Sequence, residues 1–293
     1  IKNFPWKVSQ IALIGADGQL GTDLQAVLTG DVVALTHRDI EVTDEDSVAN
    51  ALSTTGCDVV INTSAYNQVD RAEVSKNDAI DVNGGGPLHL ASYCRSHSLT
   101  LLHVSTDYVF GSDESRGEPY CETDAAGPVS AYGMSKLVGE QAVLHNCKRH
   151  FVVRTCGLYG HAGRNPGRGN FVETMLRLGI ERDELAIVND QHCTPTSTHD
   201  LAAAIAALIE TDAYGLYHAT NEGATTWFEF AEEIFRQTGR DIALRPISSE
   251  EFGAKAERPR YSVLNCDKLA AVIGRSMPPW RDALAHYLET RNV

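Results

Sequence analysis

A glycine-punctuated turn near the start of the chain restricts its fold more than any other feature. Gly15-Ala16-Asp17-Gly18-Gln19-Leu20-Gly21 reads G-x-x-G-x-x-G; the apolar run Gln10–Gly15 (QIALIG) precedes it, and Gly18–Leu28 has helical character. A short buried strand, a tight turn and a helix in that order open a βαβ unit, which requires a parallel sheet with helices on its faces. The glycines let the backbone turn sharply and approach a pyrophosphate, while the helix N-terminus offers unpaired N–H groups and a partial positive charge. Gly15, Gly18 and Gly21 are therefore read as a dinucleotide phosphate loop.

The rhythm continues along the first half. Asp31–Leu35, Asp58–Ile61, Thr100–Ser105 and Phe151–Arg154 read as further short apolar strands, as in a sheet covered on both faces. Asp78–His97 carries a long helical pattern that Gly84, Gly85, Gly86 and Pro87 must distort, and Ser130 is the expected N-cap of a helix reaching about Asn146. Beyond Leu158 come a Gly/Arg-rich loop over Gly160–Gly169, a helix from Asn170 to about Ile180 and a short strand at Leu185–Val188. A helix over Thr198–Glu210, a strand-like Gly215–Ala219, an amphipathic Trp227–Thr238 and a polar loop over Glu250–Tyr261 follow. The expected architecture is α/β, a Rossmann-type doubly wound parallel sheet with a smaller C-terminal substrate-binding lobe. Residues 1–157 are expected to form the dinucleotide-binding domain, rejoined by about 185–211 and 262–275, and 158–293 mainly the lobe.

Composition narrows the class of partner. With 43% hydrophobic and 22% charged residues the 293-residue chain is an ordinary globular sequence, and no stretch reaches the ~20 apolar residues that cross a bilayer. The 25 basic and 39 acidic side chains leave a formal charge of −14, which argues against a nucleic-acid partner but not against a small anion. Seven cysteines are scattered without a C-x-x-C pair, as thiols in a reducing compartment are, and no apolar signal core follows Phe4, Pro5 and Trp6 ahead of the first strand. A cytoplasmic location is expected. The eleven histidines show no H-x-x-x-H pair, and the adjacent His192 and Cys193 are poorly placed to share one ion, so no catalytic metal is expected.

The second strand is followed by Thr36, His37 and Arg38. Sites for NAD usually place an acid there for the ribose hydroxyls, whereas an arginine accommodates the 2′-phosphate of NADP. Thr36 and Arg38 thus point to NADPH; Asp39 and Glu41, slightly further on, keep NADH as the alternative.

Tyr132-Gly133-Met134-Ser135-Lys136 is Y-x-x-x-K at the start of a helix, a spacing that puts both side chains on one face. A lysine cation there favours phenolate and lowers a tyrosine pKa that is ordinarily about 10, so the tyrosine can exchange a proton with a carbonyl or hydroxyl. The lysine can also hold a cofactor ribose. Ser105-Thr106-Asp107-Tyr108 ends the fourth strand, where open α/β sheets place ligands, and Ser105 or Thr106 can polarise a substrate oxygen.

With these motifs in this order, the chain resembles the extended short-chain dehydrogenase/reductases, and more narrowly the dTDP-4-dehydrorhamnose reductase family. The resemblance spans nearly the whole chain. It is carried by the glycine loop, Asn62-Thr63-Ser64-Ala65-Tyr66-Asn67-Gln68-Val69-Asp70-Arg71-Ala72-Glu73, Ser105–Phe110, Tyr132 with Lys136, Arg154-Thr155, Pro195-Thr196 and Arg258-Pro259. It implies NADPH-dependent reduction of the C4 keto group of a dTDP-4-keto-6-deoxy sugar. It further implies that Thr106, Tyr132 and Lys136 are catalytic, that Gly18, Gln19 and Leu20 contact the cofactor phosphates, and that Glu41 and Val42 contact the adenine. Ala65 and Tyr66 would meet the nicotinamide half, Thr106 and Asp107 the sugar, and Asn67 and Val69 would line the sugar pocket.

Two departures stand out. Glu41 occupies a position where the family often has Asp, and Gly157 stands where well-known members carry a tryptophan that packs on the sugar. A nucleotide-sugar partner brings two phosphates, and Arg258, with Arg164 or Arg168, is expected to hold them. Cys156, beside the expected sugar pocket, is a candidate for exposure. The alternatives are an epimerase or dehydratase of the same superfamily and a non-catalytic NADP-binding regulatory subunit. Asp107-Tyr108 after Thr106, in place of an Asp-Glu pair, counts against dehydration, and retention of Tyr132 and Lys136 favours an enzyme. The assembly is expected to be a monomer or homodimer.

Overall fold

The computed structural model describes residues 9–165 and 167–291; Phe4, Pro5 and Trp6, expected to precede the first strand, lie outside the described residues. The first unit alternates as the apolar pattern requires: β1 (Gln10–Ile14), α1 (Gln19–Val27), β2 (Asp31–Leu35), α2 (Glu45–Ser53) and β3 (Val59–Asn62). Helices α3 (Val69–Ala72), α4 (Lys76–Ile80) and α5 (Gly86–His97), β4 (Thr100–Thr106), α6 (Ala131–Asn146) and β5 (His150–Thr155) complete it. Side chains of one strand alternate between two cores. Ile11 and Leu13 pack with Leu24, Leu201, Ile205 and Leu208 on one face, and Ala12 and Ile14 with Leu90, Ala91 and Val143 on the other.

Glycines 84–86 do distort the long helical stretch. Asp81–Gly85 is a π-helical turn joining α4 to α5. Its reason is the crossing of α6: a Cβ at Gly84 would lie 2.8 Å from Val138 Cγ1, and one at Gly139 would lie 2.0 Å from the Asn83 carbonyl oxygen. Small residues on both sides let α6, which carries Tyr132 and Lys136, dock against the turn.

The second half contributes β6 (Leu158–Tyr159), α7 (Phe171–Glu181), β7 (Glu184–Val188), β8 (His192–Cys193), β9 (Thr196–Ser197), α8 (Thr198–Ile209) and β10 (Gly215–His218). After these come β11 (Thr225–Thr226), α9 (Trp227–Thr238) and β12 (Ala243–Ile247). The six-stranded sheet has the order β10-β5-β4-β3-β1-β2 and is parallel throughout. Its order reverses between β1 and β3, and the carboxyl ends of the strands at such a switch point are where open α/β sheets hold ligands.

The rejoining segments differ from the expectation. Helix α8 packs on α1 and β10 becomes the sheet edge beside β5, but β7 pairs with β12 in a separate two-stranded ribbon. Leu185 and Ile187 of β7 belong to the lobe core with Val172, Phe230, Ile234 and Trp280. Amphipathicity alone does not choose between two apolar surfaces. The polar stretch after Glu250 also begins within a short helix, Ser249–Phe252, capped by Ser248.

Candidate functional site

Two adjoining cavities of 580 and 970 Å³ lie over the carboxyl ends of the strands and share Gly18, Thr63, Ala65 and Asn67 in their walls. In the larger, Gly15 and Gly18 meet Thr36, Glu41, Val42 and Tyr66. Around the smaller stand Gln19, Leu20, Val69, Thr106, Asp107, Tyr132, Lys136 and Gly157.

The three loop glycines have separate reasons. Gly15 adopts φ +78°, and a Cβ there would lie 2.7 Å from Thr63 Oγ1; one on Gly21 would lie 2.3 Å from the Gly15 carbonyl oxygen. Gly21 thus serves the turn and lines neither cavity, whereas Gly18 faces both. No side chain caps α1 and no acid stands in its first turn, so its terminus is available to an anion. These features fit a dinucleotide pyrophosphate. The Gln19 side chain is occupied: its Oε1 accepts from Gly160 N at 3.0 Å and Asn170 Nδ2 at 2.8 Å. Asn170 in turn caps α7. What Gln19 offers a phosphate is its backbone.

At the other end, Asp39 accepts from Thr36 N at 2.8 Å and Thr36 Oγ1 at 2.7 Å, which lowers the carboxyl pKa and closes the turn after β2. Glu41 accepts from Thr43 N and Oγ1, and its pKa also falls, chiefly through the backbone bond. Arg38 is exposed and outside the cavity lining. The Asn83 amide grips Tyr66 by both backbone groups, at 2.8 and 3.0 Å, and also donates to Ser135 Oγ at 2.9 Å. The wall carrying Ala65 and Tyr66 is thereby tied to α6.

Thr106 ends β4, accepts from Tyr108 N at 3.2 Å and donates to Asp107 Oδ1 at 3.1 Å. Asp107 is buried and accepts from Ser262 Oγ at 2.6 Å; burial raises its pKa, against the pull of the Ser262 bond. Ser130 caps α6 by accepting from Gly133 N, which holds Tyr132 in the first turn, and the Tyr132 ring meets Tyr108 edge-on at 5.7 Å.

Lys136 is 2% exposed and donates to the Val104 carbonyl at 2.7 Å. Burial lowers its pKa to about 8, opposed by the carboxylate of Glu140. Tyr132 departs from the expectation. Burial pushes its hydroxyl up to about 12, with Thr106 pulling it down and Asp107 pushing it up, so the phenol is protonated here. The lysine one turn further along α6 does not offset the loss of water around the phenolate.

The expected anion-binding arginines do not line either cavity. Arg258 is held by Asp70 through bonds of 3.3 and 2.9 Å and donates to the Ala256 carbonyl at 2.9 Å. Arg168 pairs with Asp17 at 2.6 Å, and Arg164 donates to the Arg291 carbonyl. Each basic side chain finds a partner on α3, in the lobe or in the glycine turn, contacts that charge counting along the chain does not show.

Ser262, Phe171, Gln191, Cys193 and Trp227 reach the smaller cavity, although none of them is read from the sequence as a site residue. All five come from the second half, where the Asp107–Ser262 bond spans 155 positions; no local spacing marks them. Cys156 lines the same cavity but is buried, and its pKa is raised well above the ordinary value, first by contact with the Cys193 thiol. Among the described residues no group of three or more His, Cys, Asp or Glu side chains is placed to hold a metal ion.

The sequence model of the RmlD substrate binding domain matches residues 9–293. The chain is 41% identical over 290 residues to the dTDP-4-dehydrorhamnose reductase of Streptomyces griseus, covering 96% of this chain and 93% of that one. It is 40% identical over 258 residues to the dTDP-4-keto-6-deoxy-D-glucose reductase of Streptomyces niveus, covering 86% and 87%. The crystal structure of dTDP-4-dehydrorhamnose reductase from Bacillus anthracis in complex with NADP superposes with a TM-score of 0.91 at 36% identity, covering 97% of this chain and all of that one.

Proposed function

The chain belongs to the RmlD substrate-binding domain family, and from that premise we propose that it reduces the C4 keto group of a dTDP-4-keto-6-deoxy sugar with NADPH, converting dTDP-4-dehydrorhamnose to dTDP-L-rhamnose. The observation that carries this reading is the meeting of Thr106, Tyr132 and Lys136 in the wall of one cavity that adjoins the glycine-loop groove. The sheet unit holds the cofactor and the lobe closes over the sugar nucleotide.

Gly15, Gly18 and the backbone of Gln19 and Leu20 would hold the cofactor phosphates, Glu41 and Val42 the adenosine, and Ala65 and Tyr66 the nicotinamide end; the exposed Arg38, next in sequence to the lining residues Thr36 and His37, would meet a 2′-phosphate. When bound, NADPH supplies the hydride that C4 receives. Thr106, on turning its single O–H from Asp107 Oδ1 to the C4 oxygen, orients that oxygen. Tyr132, protonated at neutral pH, gives that oxygen its proton, so hydride and proton together complete the alcohol. Lys136 has one donor on Val104 and two left for a ribose hydroxyl and for the phenolate that proton loss leaves.

All seven cysteines carry free thiols, which supports a cytoplasmic location, and no helix among the described residues is long and apolar enough to cross a membrane. NADPH consumption with dTDP-4-dehydrorhamnose, run beside UDP- and GDP-linked keto sugars, tests the proposal. Turnover restricted to the dTDP sugar is expected; tight NADPH binding without turnover of any keto sugar overturns it and favours a regulatory subunit.

A further inference from the structure

We infer that Trp227 is the wall on which the apolar side of the sugar packs, and that Gly157 is the residue whose missing side chain lets the indole reach it. The inference rests on the reductase reading above. Gly157 adopts φ +53°, and a Cβ there would lie 3.1 Å from Trp227 Cη2 and 3.3 Å from Pro195 Cα. The tip of the indole therefore fills the space that any larger residue at position 157 would need. Both residues line the cavity that holds Thr106 and Tyr132.

Trp227 is also held rigidly. It is the first residue of α9, where Thr226 and Glu229 form a reciprocal capping box. Thr226 Oγ1 donates to Asn189 Oδ1 at 2.7 Å, and Thr225 and Thr226 pair with Cys193 and His192. Phe171 lies against the indole at 4.7 Å between ring centroids. A large aromatic side chain fixed from three directions, yet only half-buried, presents a preorganised apolar face to whatever enters the cavity.

The chemistry of the ligand matches. Hydroxyls and the C4 oxygen of the sugar find Thr106, Tyr132 and Asp107, whereas its C–H edge and the C6 methyl of a 6-deoxy sugar need an apolar partner. An apolar contact separates a methyl from a group that merely adds a hydroxyl by about 10²-fold at most. Trp227 is thus a specificity-determining residue that selects 6-deoxy sugars.

Calorimetry in the presence of NADPH, titrating dTDP, dTDP-glucose and dTDP-L-rhamnose into the wild-type chain, Trp227→Ala and Trp227→Leu, tests this. Trp227→Leu keeps apolar bulk against Phe171 should the alanine variant fold poorly. Wild type is expected to favour dTDP-L-rhamnose, and both variants to lose about tenfold or more for it while dTDP stays within about twofold. Unchanged affinity for dTDP-L-rhamnose, or an equal loss for dTDP, overturns the wall. A wild-type chain that binds NADPH but consumes none with dTDP-4-dehydrorhamnose overturns the reductase reading itself, which separates the two failures.

Discussion

Lys136 Nζ donates to the backbone carbonyl of Val104 at 2.7 Å, so the one buried cation of the catalytic helix is anchored to the strand that ends in Thr106. Burial depresses the lysine pKa to about 8 from an ordinary 10.5. In a plot of kcat/KM against pH, activity is expected to fall with a midpoint near 8 as the free enzyme loses this cation. A limb set by Tyr132 would lie near 12 instead. The same shift sets a stability trend: the cost of the buried cation is present below pH 8 and is relieved as pH rises from about 8 toward 10.5, because only the unfolded lysine still holds its proton there.

Tyr132→Phe removes the proton donor and keeps the ring that meets Tyr108. Turnover is expected to fall about 10²–10⁴-fold. NADPH binding, followed by fluorescence, is expected to remain. Full turnover in this variant would remove Tyr132 from the proton transfer.

Glu140 and Arg154 form a bidentate pair, 2.8 and 2.7 Å, with side chains 0% and 4% exposed. Arg154→Met leaves Glu140 buried and unpaired, and a loss of about 3–5 kcal/mol is expected in chemical denaturation. By contrast, the Arg168–Asp17 pair has side chains 34% and 56% exposed, so Arg168→Ala is expected to cost no more than about 1 kcal/mol and less in high salt.

Gly139→Ala places a methyl group 2.0 Å from the Asn83 carbonyl oxygen, a backbone atom that cannot swing aside. Helix α6 must move, and a loss of about 1–3 kcal/mol in the unfolding free energy is expected. Asn83 also grips Tyr66, so NADPH affinity is expected to fall with stability.

How legible the site was in the sequence depended on how local its parts are. Gly15 to Gly21 occupy one turn and Tyr132 with Lys136 one helical face, and such spacings are read directly from the chain. The protonation state of Tyr132 was not legible in that way, because it depends on how much water burial removes from the hydroxyl, on the hydrogen bond to Thr106 and on the charge of Asp107. The fate of Arg258 likewise depends on Asp70, 188 positions away along the chain.

By itself the sequence determined the alternation of strands and helices, the glycine turn with its uncapped helix start, and the tyrosine–lysine face, since each follows from contacts a few residues apart. Only the tertiary structure decided that β10 closes the sheet while β7 leaves it, that Ser262 supports Asp107, and that the indole of Trp227 lies over Gly157. Those outcomes require distant segments to meet. Which apolar surface a strand covers, and which carboxylate an arginine finds, is settled by the packing of the whole chain.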